Sequence, residues 1–144
     1  MTMRIRPWNL ALALMLAACA GAPVVPPAPA AAPLPPLAGT RWVATAHGTD
    51  EPQATPRLEF ALGGELHGFT GCNMLSGHWS EEGGEIRFSA LIVTKRLCLG
   101  PGAGVEEKFL AAFSAQSTGR RSATTLTITS PQGARFEFVP AAAA

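Results

Sequence analysis

From residue 57 onward, apolar and polar positions alternate in short runs punctuated by glycine. In Arg57-Leu58-Glu59-Phe60-Ala61-Leu62 the period of two puts Leu58, Phe60 and Leu62 on one face of a predicted strand. Gly63-Gly64 then offers the positive φ angles of a tight hairpin, and Glu65-Leu66-His67-Gly68-Phe69 returns as its partner. Residues 75–80 and 85–88 form a second predicted pair around Glu81-Glu82-Gly83-Gly84. A third pair, 124–129 and 135–139, flanks Ser130-Pro131-Gln132-Gly133, which has type I turn chemistry. Leu126, Ile128, Phe136 and Phe138 are its predicted core positions. Upstream, residues 40–46 read as a first strand anchored by Trp42, followed by a polar loop over 48–56.

One stretch changes period. Val105, Phe109, Ala112 and Phe113 fall at i, i+4, i+7 and i+8, the stripe of an amphipathic helix over residues 104–117. Glu106 and Glu107 then occupy its first turn, where the helix dipole favours negative charge. Pro101-Gly102-Ala103-Gly104 is expected to block an earlier start, and Gly119 to end the helix. The pattern as a whole predicts a mostly β (α+β) fold. Its form is a small antiparallel sheet or partly open barrel of about seven or eight strands, with one helix near 104–117.

The first 37 residues obey another logic. Arg4 and Arg6 precede the apolar run Leu10 to Leu16, and Ala17-Ala18-Cys19 comes next. That run is far below the ~20 residues that span a bilayer, so residues 1–18 read as an export signal. Leu16-Ala17-Ala18-Cys19 resembles the lipobox of bacterial lipoproteins. The resemblance implies cleavage before Cys19 and acylation of its thiol and freed amine, enough chains for stable anchoring. Ala20 stands where an aspartate often marks inner-membrane retention, which implies the periplasmic leaflet of the bacterial outer membrane. Residues 19–37 then carry the lipidated cysteine and a spacer with Pro23, Pro26, Pro27, Pro29, Pro33, Pro35 and Pro36. Proline removes donors and favours polyproline II, which lets the spacer reach on the order of 55 Å. The folded domain is expected over 38–140.

Composition narrows the function. The 144 residues carry 11 basic and 10 acidic side chains, and loss of Arg4 and Arg6 leaves nine basic. A near-neutral domain has no electrostatic footprint for nucleic acid, so none is expected as a partner. With Cys19 acylated, Cys72 and Cys98 are the remaining thiols, and an exported chain with two cysteines is expected to bridge them. The rivals are a zinc pair, which needs two more ligands such as His67 or His78, and a redox dithiol, which usually shows Cys-x-x-Cys.

Several of these elements together resemble the META domain, the family that includes the HslJ-like heat-shock lipoproteins. Gly39-Thr40-Arg41-Trp42 resembles its opening element, and Phe60, Gly63-Gly64 and Gly68 its first hairpin. Gly71-Cys72-Asn73 resembles its hallmark, with Gly77 after it in place. Thr94 and Cys98 match a Thr-x-x-x-Cys element, Glu106 with Phe109 the helix, and residues 126–138 the closing strands. The chain departs at Arg96 and Leu97, commonly Met-Ala, and at Trp79, usually tyrosine. The resemblance implies an antiparallel β domain with one helix, in envelope proteins linked to stress and antibiotic tolerance. It brings no catalytic residues.

No catalytic constellation is found. His47, His67 and His78 lie in different predicted elements, and neither a nucleophile elbow nor a phosphate-binding loop is present. No metal or cofactor is expected. Asn73 is expected to cap a turn, and Gly71 to supply an unusual φ. Lys95 and Arg96, beside Cys98, are the candidate partner contact, and with Arg120-Arg121 they could favour anionic lipid or glycan. Two functions are compatible with these residues. One is a tethered binding or structural module that contacts an envelope protein, peptide or lipid; the other is an inhibitor of a wall-degrading enzyme such as lysozyme, through residues 94–100.

Overall fold

The computed structural model describes residues 33–45 and 47–142. The signal, Cys19 and most of the spacer lie outside the described residues. Eight strands run in chain order: β1 (Thr40–Ala44), β2 (Arg57–Phe60), β3 (Glu65–Phe69), β4 (Met74–Glu82), β5 (Glu85–Val93), β6 (Thr118–Arg121), β7 (Leu126–Thr129) and β8 (Arg135–Pro140). A short 3-10 helix occupies Pro52–Ala54, and the helix α1 (Pro101–Ala112) stands between β5 and β6.

Every strand pairs antiparallel with its sequence neighbours, and β8 returns to β1 through Trp42↔Pro140, Val43↔Val139 and Ala44↔Phe138. The sheet is therefore a closed barrel, which leaves no strand edge unpaired. Closure needs a bent sheet, and the bend lies between β4 and β5. Their register shifts between Ser76 and His78, and Ala90 opposite takes φ 49°. Gly77 makes room for this bulge: a Cβ there would sit 2.7 Å from a Leu91 methyl and 2.9 Å from the Ser89 carbonyl.

Alternation decides the interior. Leu58, Phe60, Leu66, Leu75, Ile86, Phe88, Leu126, Ile128, Phe136 and Phe138 point inward from successive strands and are buried, as is Trp42. From α1, Phe109 enters the same cluster, stacked on Phe113 and edge-on to Phe136 and Phe138. Val105, Phe109, Ala112 and Phe113 are all buried, so the helical stripe is the buried one.

Five boundaries differ from expectation. The helix covers 101–112 because Pro101 serves as an N-terminal residue: its missing N–H is not needed there and its φ is already helical. It stops at Ala112, whose carbonyl accepts the Ser117 hydroxyl at 2.7 Å. Gly119 does not end the helix. It sits inside the unpredicted strand β6, where a Cβ would meet Ile86 at 3.0 Å. β5 runs five residues beyond its predicted end, to Val93, and Leu62 lies in the β2–β3 turn at 85% exposure, off the apolar face.

Candidate functional site

The hallmark residues gather where the β3–β4 turn, the end of β5 and the helix α1 meet. Gly71 starts the arrangement with φ 104°, and a Cβ would strike Val105 at 2.7 Å and the Ala54 carbonyl at 3.0 Å. Gly102 completes it, because a side chain there would press on the Gly71 carbonyl. Two glycines back to back thus let the helix N-terminus rest directly on the turn.

Asn73 then ties three segments together. Its Oδ1 accepts the Arg96 backbone N–H at 2.7 Å and the Thr94 hydroxyl at 2.9 Å. Its Nδ2 donates to Glu106 Oε1 at 2.9 Å and to the Arg96 carbonyl at 3.2 Å. A primary amide has two donors and two acceptor positions, so every one of them is engaged. The Asn73 backbone N–H is shared between Glu106 Oε2 and Thr70 Oγ1, each at 2.9 Å, and the Thr70 hydroxyl donates to the same carboxylate. Met74 N–H closes the set on Thr94 Oγ1 at 3.0 Å. Thr70 and Asn73 are buried; Glu106 is half-buried, its charge met by three donors.

Around this knot lie the other singled-out residues. Cys72 and Cys98 form a disulfide with Cα atoms 6.0 Å apart. The Arg96 guanidinium folds back to the Cys72 carbonyl, while Lys95 is exposed. Arg120 and Arg121 are not near them. They pair at the β4–β5 end with Glu85 and Glu81, the latter through two bonds at 2.9 and 3.0 Å with the Arg121 side chain nearly buried. His67 and His78 stand on the barrel wall, both exposed, and His47 Nε2 lies 3.4 Å from Thr55 Oγ1. Among the described residues, no three His, Cys, Asp or Glu side chains converge as metal ligands.

Three features escape the sequence. The sequence predicts Asn73 as the cap of its own turn; Thr70 does that, and Asn73 reaches across instead. Thr70 lies three residues before Asn73, the spacing of a hydroxyl-capped turn, so this role is legible in principle. Glu106, expected to serve the helix dipole, is in fact the acceptor that docks α1. Leu97 and Leu99 flank Cys98 and project into solvent at 86% and 85% exposure. Leu97 borders two shallow grooves, one of about 290 Å³ with Glu51, Gln53 and Pro101, the other of about 410 Å³ with Thr94, Lys95 and Leu110.

Among known proteins, the family model described as META domain matches residues 35–143. No curated protein matches the chain significantly. An NMR structure of a protein from Burkholderia xenovorans is 23% identical, covers 83% of this chain and 100% of its own, and superposes with a TM-score of 0.53. A second NMR structure is 18% identical over 70% of this chain and 88% of that one, with a TM-score of 0.56. A crystal structure of a DUF4847 family protein from Bacteroides vulgatus is 13% identical over 72% and 93%, with a TM-score of 0.47. The first two share the fold.

Proposed function

Because the chain belongs to the META domain family, we propose that it is an outer-membrane-tethered envelope lipoprotein whose domain binds or scaffolds and does not catalyse, in the setting of envelope stress or antibiotic tolerance. One observation carries the second half of this reading: the motif residues are saturated. Asn73, Thr70, Thr94 and Glu106 satisfy one another, and no polar atom of the Asn73 side chain is left to meet a substrate. A catalytic group must touch the reacting atoms, whereas these groups brace a turn, a strand end and a helix. The lipobox-like Leu16-Ala17-Ala18-Cys19 supports the tether.

On this reading the surface around the knot, with Lys95 and Arg96, meets the partner. The lysozyme-inhibitor alternative has weaker support. Its loop at 94–100 turns Thr94 Oγ1 and the Arg96 backbone inward to Asn73 and shows leucines outward, where an inhibitor of a polar cleft would need ligand-like polar groups.

Fractionation of cells expressing wild type and Cys19→Ser tests the proposal. The wild type is expected in the outer-membrane fraction and the variant among soluble proteins; a variant that stays with the membrane removes the lipid tether. Micromolar inhibition of lysozyme by the full chain would instead favour the alternative.

A further inference from the structure

Resting on the tethered reading, we propose that the loop between β5 and α1 is a bilayer-docking element. Leu97 and Leu99 enter the headgroup boundary of an anionic membrane, and Lys95 faces its phosphates. Single exposed leucines are ordinary. Here two stand at i and i+2 on one loop, 86% and 85% exposed, and Leu110 extends the apolar surface along the groove that Leu97 borders.

A flexible loop would fold such side chains away. This one cannot. Asn73 holds the Arg96 backbone from both sides at 2.7 and 3.2 Å, Cys98 is bonded to Cys72, and Pro101 begins the helix. The leucines are thus held out by the same knot that the family motif builds. No ordering of the loop is then lost when they meet a surface.

Charge selects the occupant. From Val93 to Val105 the chain carries Lys95 and Arg96 and no acid. The Glu106 carboxylate is turned to Asn73 and Thr70, and Glu51 is the acid that lines the adjoining groove. Cationic and apolar groups side by side, with Thr94 Oγ1 and the Arg96 backbone directed inward, suit a surface that asks for few directional hydrogen bonds. An anionic bilayer is such a surface. The contact is small, but a tether at Cys19 raises the local concentration of membrane enough for a weak site to be occupied. Its consequence is orientation: the barrel would lie with its motif-bearing end toward the lipid.

The test uses Leu97→Trp in the full chain, with vesicles rich in phosphatidylglycerol whose acyl chains are brominated. Docking is expected to blue-shift and quench the introduced fluorophore on these vesicles, and not on phosphatidylcholine vesicles. Lys95→Ala should weaken the effect about fivefold, the worth of one cation near an anionic surface. Leu99→Trp should behave alike, a second probe should one substitution disturb the fold. If the fluorophore stays in water on vesicles that carry the protein, the proposal falls and the Cys19 tether stands. A blue shift without vesicles that grows with protein concentration also overturns it, in favour of a second copy of the chain. Quenching that persists although Cys19→Ser leaves cell fractionation unchanged would support the docking loop and sink the tether.

Discussion

At Asn73 one primary amide joins its own turn to a strand end and a helix that lie 21 and 33 residues away in sequence. None of these bonds is strong by itself, but Asn73 is buried and the bonds to its partners are partly so, which makes an unpaired group costly. Asn73→Ala leaves the Arg96 N–H and the Thr94 hydroxyl without their acceptor and removes one of the three donors to Glu106. A loss of roughly 3 kcal/mol is expected in urea unfolding. Asn73→Asp should be at least as damaging, since it sets a carboxylate against that of Glu106. A change below about 0.5 kcal/mol in both variants would mean that water replaces the network and that the motif is not there for stability. Trp79 shows a smaller residue-scale cost. It packs edge-on to Phe60 with centroids 5.4 Å apart, but its indole N–H has no partner among the described residues.

Among the elements, α1 decides how the barrel is filled. The helix is fastened at one end by Glu106 on Asn73 and along its length by aromatic contacts, with Phe109 touching Phe113, Phe136 and Phe138. Phe109 is fully buried. Phe109→Ala should therefore cost about 3–5 kcal/mol by lost burial and the cavity left between helix and β8. Hydrogen exchange gives the finer reading: α1 amides should lose protection before those of the β2–β3 ladder. Equal loss everywhere would show that helix and barrel unfold as one unit. The period of 3.6 marks this helix in the sequence. Its start is not so marked, because Pro101 and Gly102 read as breakers until the proline is seen to occupy the position that needs no N–H, and the glycine to be demanded by the Gly71 carbonyl.

For the domain as a whole, closure and the disulfide are separate devices. All eight ladders are formed by backbone pairing, and the bridge from Cys72 to Cys98 fastens the knot outside the barrel across 26 residues. The paired substitution Cys72→Ala/Cys98→Ala is expected to lower stability by about 3.5 kcal/mol on the chain-entropy model, yet keep the far-ultraviolet signal of the folded sheet. Loss of that signal in the absence of denaturant would show that the barrel depends on the bridge to form.

By itself the sequence determined only those features that local rules govern: which residues alternate, where glycine permits a turn, where the period shifts to that of a helix, and that two cysteines were left to pair. Strand order was within reach as well, since a meander of hairpins has one simple closure. The sequence could not set the ends of β5, the existence of β6 or the exposure of Leu62, because each depends on what a residue meets on another strand. The role of Asn73 belonged to the same class. An asparagine reads as a turn former in any sequence. Only the fold brings Thr94, Arg96 and Glu106 within hydrogen-bonding reach of its amide and turns a local preference into the fastening of three distant segments.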